Sequence, residues 1–162
     1  SRSISCVPLE FRERLAERGL DPASVTESTW NAILNLMIPR TRTFNDLPDN
    51  CAYFFTEDYA FDPRVVGKRL ALDEAPDLLE RVAERFAAAP EFDEASSEET
   101  LRTLAQEMDC GMGKLVHPVR AAVSGLGEGP GLFELLALLG RERVCERLRR
   151  VAGRLRRGVA LG

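Results

Sequence analysis

The stretch HPVRAAVSGLGEGPGLFELLALLG, residues 117–140, decides the fold. A segment carrying the single arginine Arg120 runs into a loop of four glycines and Pro130, and then into the nearly all-apolar run Leu132 to Leu139. That run is too short to cross a bilayer and is interrupted by Glu134, so it reads as a buried core helix. A connection between two helices needs a turn, but not four glycines. Because glycine lets another group approach the backbone with no Cβ in the way, the loop is expected to receive something flat and charged.

Outward from this stretch, helical signals continue in both directions. Pro8 opens a helix that Gly19 closes, with Phe11 and Leu15 one turn apart. Trp30, Ile33, Leu34 and Met37 recur at i, i+3, i+4 and i+7, and Pro39 is expected to end that helix. Asp62-Pro63 reads as an N-cap followed by a first-turn proline. Helical patterns then run through Leu70 and from Asp73 to Ala89, the second with Leu78, Val82 and Phe86 on one face. Ser96 and Glu99 are expected to form a capping box, and Gly111 and Gly113 to terminate the helix of Leu101, Leu104 and Met108. His117, just before Pro118, is expected at a helix start in a polar capping role. In the last helix Val144, Leu148, Val151 and Leu155 form the expected buried stripe. No strand-like alternation occurs, so the fold class is all-α. Two consecutive helical-bundle subdomains are expected, residues 1–62 and 63–162. The first holds Trp30 and the cluster Tyr53, Phe54, Phe55, Tyr59 and Phe61.

Of the 162 residues, 44 % are hydrophobic and 30 % charged, which excludes a disordered tail and a membrane-embedded protein. The chain starts at Ser1 without a signal-peptide pattern, and a cut domain edge is the expectation there. Cys6, Cys51, Cys110 and Cys145 include no close pair, and His117 is the only histidine, so free thiols in a reducing cytosol are expected and no metal site. Cys110 and Cys145 read as core fillers. The net charge of −4 argues against a nucleic-acid partner until its distribution is considered. Arg141 to Arg157 holds eight Arg and two Glu, +6, which leaves −10 for the remainder. This strip is either a solvated helix face or a phosphate-contacting surface through Arg143, Arg147 and Arg150.

Catalytic chemistry is missing from the pattern. Nucleophilic catalysis would have to centre on the one histidine. GMGKL is not a phosphate-binding loop, because the glycine needed five positions before Gly113 is Met108. No active site is expected in this chain.

Three stretches carry a family resemblance: LMIPRTRTFNDLP (36–48), YFFTEDYAFDP (53–63) and GKLVHPVRAAVSGLGEGPGLFELLALLGRERVCERL (113–148). In order and spacing they resemble the C-terminal, anticodon-binding region of bacterial glutamyl-tRNA synthetases, over roughly residues 25 to 150 and weakly from Leu70 to Ser97. The resemblance implies two all-α subdomains that grip the anticodon loop of tRNA-Glu, remote from the catalytic domain. Neither class I catalytic signature occurs here, so the resemblance implies a portion without ATP or Mg of its own, both belonging to the catalytic domain of the parent ligase.

Residue by residue, the resemblance places Arg40 where discriminating members of the family read the third anticodon base. A rigid, always-charged fork suits a cytosine edge better than a purine. Arg120, Gly129, Pro130 and Leu132 fall where the family forms the pocket for the other anticodon bases, which RNA-binding proteins splay out, stack and bond by their edges. Pro130 would offer a flat ring face. Gly129 departs from the pattern, standing where a family member carries a threonine, so a base contact there would use the backbone. A cytoplasmic, monomeric protein with no membrane partner is the corresponding expectation. Two alternatives stay open: a free-standing helical interaction module, and the same region of a paralogue that charges tRNA-Gln with glutamate.

Overall fold

A computed structural model of the chain describes residues 7–40 and 47–161, with side chains from residue 11 onward except those of residues 22, 40, 47 and 48. Every regular element among the described residues is helical, in agreement with the all-α expectation. The chain divides into two compact units, Ser1–Tyr59 and Ala60–Gly162.

The first unit contains α1 (Val7–Glu17), α2 (Glu27–Met37) and the short α3 (Leu47–Cys51), with single 3-10 turns at Pro22–Ser24, Ile38–Arg40 and Ala52–Phe54. Thr26 caps α2 by accepting from the Thr29 amide at 3.2 Å, and the periodic residues Trp30, Ile33, Leu34 and Met37 are all buried. Pro39 does not stop the chain's coiling outright: α2 ends at Met37 and tightens into the 3-10 turn that contains the proline. The core is built of rings. Phe11 stacks on Trp30 with centroids 5.0 Å apart, and Phe55 meets both rings edge-on or tilted. Arg12 lies over the outer face of the indole, 4.6 Å from its centroid.

In the second unit Asp62 caps α4 (Pro63–Val65) by accepting from the Arg64 amide at 2.9 Å, as its Asp-Pro pattern predicts. A π-helical turn, Val66–Leu70, follows, and then α5 (Ala75–Ala88), α6 (Glu94–Glu107), α7 (Gly113–Ser124), α8 (Leu132–Leu139) and α9 (Arg141–Arg157). Helices α5 and α9 pack antiparallel: Arg156 near the end of α9 pairs with Asp77 and Glu80 at the start of α5, while Cys145 near the start of α9 lies 3.6 Å from the Ala83 carbonyl. The shared core is mostly aliphatic, with Leu79, Val82, Leu101, Leu115, Val119, Leu135, Leu136, Val144 and Leu148 removed from solvent beside the buried ring of Phe86.

Several local expectations need correction. The capping box of α6 is Asp93 with Ser96, not Ser96 with Glu99, each side chain bonding the other's amide at 2.8 Å. Asp93 is also a capping residue three positions ahead of Ser96, and the register that starts there prevails, so Ser96 becomes the partner and not the cap. Gly111 and Gly113 do not terminate α6, which ends at Glu107 and turns at Asp109 with φ 51°. Gly113 begins α7, so Pro118 lies inside that helix and His117 is an exposed mid-helix residue instead of a cap. Pro118 lacks the N–H that would reach back to the Lys114 carbonyl, a loss the surrounding buried packing of α7 tolerates. Leu155, expected in the buried stripe of α9, is partly exposed. Cys51 and Cys145 are buried free thiols, and burial pushes both up in pKa; Cys110 is half-buried, and Cys6 lies outside the described residues.

Candidate nucleic-acid interface

The loop between α7 and α8 is wired from within. Helix α7 stops because Gly125 turns left-handed, φ +77°, while its amide closes onto the Ala121 carbonyl at 2.8 Å. The Ser124 hydroxyl donates to the Arg120 carbonyl at 2.7 Å and accepts from the Leu126 amide at 3.1 Å. The Gly125 carbonyl receives the Asp62 amide at 2.9 Å, and a Cβ at Gly125 would stand 2.1 Å from the Ala60 oxygen. One glycine of the four is therefore dictated by the close passage of the 60–62 backbone. That overturns, for Gly125, the expectation that the glycines serve an incoming ligand. Gly129 is different: it is exposed, with φ 155°.

Arg120 joins the loop as its position predicts. Its guanidinium, partly exposed, donates to the Pro130 carbonyl at 2.7 Å, so α7 and the far end of the loop are tied together. Pro130 and Leu132 have buried side chains, Leu132 at 3 % exposure. The ring face expected at Pro130 is thus turned into the protein, because the same packing that seats α8 draws in the residues leading to it. Only Gly129 of the three loop candidates presents its surface to solvent. Arg40 ends the 3-10 turn Ile38–Arg40; its side chain lies outside the described residues.

The arginine strip of α9 is not uniform. Arg143 and Arg150 are partly exposed, but Arg147 has 0 % exposure and donates to the Val123 carbonyl at 2.6 Å. A phosphate cannot reach it, and the phosphate-contacting role expected of Arg147 is withdrawn. Its guanidinium instead satisfies a carbonyl in the last turn of α7, where helices carry orphan acceptors. Position 147 lies three residues after Val144 and four before Val151, on the flank of the buried stripe. That spacing was the available signal, and reading charge as exposure concealed it. Ser124 and Asp62 were likewise missed as loop-holding residues, although a serine immediately before a Gly-rich segment is a common side-chain-to-backbone linker.

His117 follows Lys114 by three residues and precedes Arg120 by three, on the outer face of α7. Partial desolvation lowers its pKa, and the cations Arg69, Arg120 and Lys68 lower it further. Among the described residues no group of three His, Cys, Asp or Glu could hold a metal ion, and no helix is long and apolar enough to cross a membrane.

A family model described as an anticodon binding domain matches residues 10–152. Among the curated relatives, a glutamate–tRNA ligase of Moorella thermoacetica is 36 % identical over 149 residues, which are 90 % of this chain and 30 % of that protein. The corresponding ligase of Thermus thermophilus is 40 % identical over 148 residues, 91 % of this chain and 31 % of the relative. The chain therefore spans less than a third of the length of these relatives. Among solved structures, a glutamate tRNA ligase from Elizabethkingia meningosepticum crystallised with its amino acid superposes with a TM-score of 0.79 at 25 % identity, covering 95 % of this chain and 30 % of that one. Over nearly its whole length, then, the chain belongs to the anticodon-binding domain family, in the form carried by glutamate–tRNA ligases.

Proposed function

We propose that this chain is the part of a cytoplasmic glutamate–tRNA ligase that grips the anticodon loop of tRNA-Glu, acting as a monomer, while domains outside it attach glutamate using ATP and Mg. The observation that carries the reading is the Arg120–Pro130 bond, which fixes the glycine loop against α7 and leaves Gly129 at its exposed tip. A preformed loop with an open backbone edge suits unstacked bases, because ordering it costs nothing at the moment of binding. In this reading the Gly129 backbone meets a base, Arg120 shapes the loop and edges its surface, and Pro130 and Leu132 support it from within. Arg40 reads the third base. Arg143 and Arg150, both partly exposed, lie on the helix that could meet stem phosphates.

The test is a titration of transcribed tRNA-Glu, and of the same tRNA with a swapped anticodon, at two salt concentrations. Tighter binding of the tRNA-Glu anticodon, weakening steeply with salt, is expected. Equal affinity for both anticodons would remove the anticodon-reading role. Arg40→Ala should lower discrimination at the third base by about 1–3 kcal/mol, the typical value of one good base-edge contact.

A further inference from the structure

The second unit gathers several cations around its one histidine. Some arginines of that unit have carboxylate partners: Arg85 with Glu107, Arg102 with Glu98, and Arg156 with Asp77 and Glu80. On the π-helical turn Val66–Leu70, exposed Lys68 and half-buried Arg69 have no acidic partner among the described residues. This turn packs against α7, where the ring of His117 folds back over Gly113, about 3.5 Å from where a Cβ there would stand. Lys68 and Arg69 from the turn, and Arg120 from the same helix, are the charged groups close enough to His117 to disfavour its cationic form. All are positive, in a chain whose net charge is −4. Concentrating like charge this way opposes folding, and it attracts a polyanion at a distance.

We infer that Lys68 and Arg69, with His117 of α7 beside them, form a cationic face that takes backbone phosphates of the RNA strand entering or leaving the glycine loop. The inference rests on the anticodon-loop reading above and adds to it a positioning surface outside the strip of α9. Phosphate contacts of this kind fix the register of the strand, while sequence is read at the loop. One feature favours a phosphate strand here: Lys68 and Arg69 stand on a surface turn with no carboxylate partner among the described residues, so a phosphate can neutralise them without displacing an ion pair.

The experiment compares the unaltered chain with Lys68→Gln/Arg69→Gln, titrating each with an RNA hairpin bearing the anticodon stem and loop of tRNA-Glu over a series of salt concentrations. The double variant should flatten the slope of log affinity against log salt by roughly 1.4 to 1.8, two contacts' worth, while discrimination between anticodons stays as it was. His117 supplies an independent readout, since it is the only histidine and gives one set of ring resonances. Its pKa, lowered in the free chain, should rise when the hairpin binds, because a phosphate beside it favours the charged ring. An unchanged salt slope in the variant, or a His117 titration indifferent to bound hairpin, overturns the face and leaves the loop reading standing. If the unaltered chain binds neither this hairpin nor tRNA-Glu, the loop reading itself fails and the face fails with it.

Discussion

At the Val123 end of the glycine loop the clamping guanidinium, that of Arg147, has no contact with solvent; at the Pro130 end the guanidinium of Arg120 is partly exposed. The bond is the same at both ends, an arginine donating to a main-chain carbonyl at 2.6 or 2.7 Å. The surroundings differ, and with them the use. A buried cation cannot meet a ligand, so Arg147 serves the fold: it closes the last turn of α7 and binds α9 to it. A partly exposed one can hold the loop and still edge the surface where a base would lie. The anchored end also carries Gly125, whose conformation the 60–62 backbone dictates; the other end carries exposed Gly129.

If the Val123 end is the fixed one, the largest effect should come from breaking it at Gly125. Gly125→Ala combines a left-handed φ of +77° with a Cβ 2.1 Å from the Ala60 oxygen. A loss of about 3 kcal/mol in unfolding free energy is expected, from strain plus displacement of the 60–62 segment. Gly131→Ala is the matched control, since its Cβ would meet only the Glu134 side chain at an ordinary 3.5 Å. Denaturant midpoints for the two variants check the contrast, and equal losses would erase the distinction drawn between the ends.

Next comes Arg147→Met, which keeps the apolar stem but removes the donor to Val123. Leaving that carbonyl unpaired should cost about 1–3 kcal/mol, insensitive to added salt because the site excludes solvent. RNA affinity well below the melting temperature should change little. A variant that stays fully stable but loses RNA binding would return Arg147 to the phosphate surface.

How much of this was legible beforehand depends on where the determining atoms lie. Helices α2 and α5 announce themselves by apolar spacing, because periodicity of burial is a property of the segment itself. The all-α class and Asp62 as a cap follow from equally local signals. The start of α7 does not: Gly113 and Pro118 each suggest a break, and only burial of Leu115, Val119 and Val123 on one face shows that the helix runs through both. A left-handed glycine ending α7 is a local signal, but the close approach of Ala60, 65 positions earlier, is one that no local pattern reports. At the candidate site the family resemblance singled out Arg120 and the loop, and the structure joins them. It could not say that Pro130 and Leu132 face inward, since both residue types suit either side of a surface. Nor could it find Lys68 and Arg69, which are ordinary surface cations until the π turn sets them beside His117.

At the Pro130 end, Arg120→Lys keeps the charge and shortens the reach. One charge-assisted bond is replaced by a point cation on a flexible stem. Partial exposure limits the loss of stability to under about 1 kcal/mol. Amide exchange from Leu126 to Gly131 should quicken, while that of Ala121 to Val123 stays as before, because Arg147 still holds that end. Equal protection of all these amides in the variant and the unaltered chain would show that the guanidinium does not fix the loop.

The smallest effect is one of pH. His117 has a folded pKa below its ordinary 6.5, so the folded chain binds that proton less readily than the unfolded chain does. Stability from this group is therefore complete above about 6.5, and it falls as pH drops through the lowered value. Asp93 and Glu107 also have lowered pKa values, Asp93 through the Ser96 amide and Glu107 through Arg85, but their ordinary values are 3.8 and 4.5. Their losses begin in a more acidic window. Melting temperature should thus decline slightly as pH falls below 6.5 in the unaltered chain but not in His117→Gln, with both declining together below about pH 4.5. Because His117 stands one turn ahead of Arg120, this acid-sensitive step belongs to the Pro130 end. Arg147→Met should lower the whole curve without moving that step, whereas Lys68→Gln/Arg69→Gln should shift it toward higher pH, by removing the part of the lowering that cation repulsion adds to desolvation.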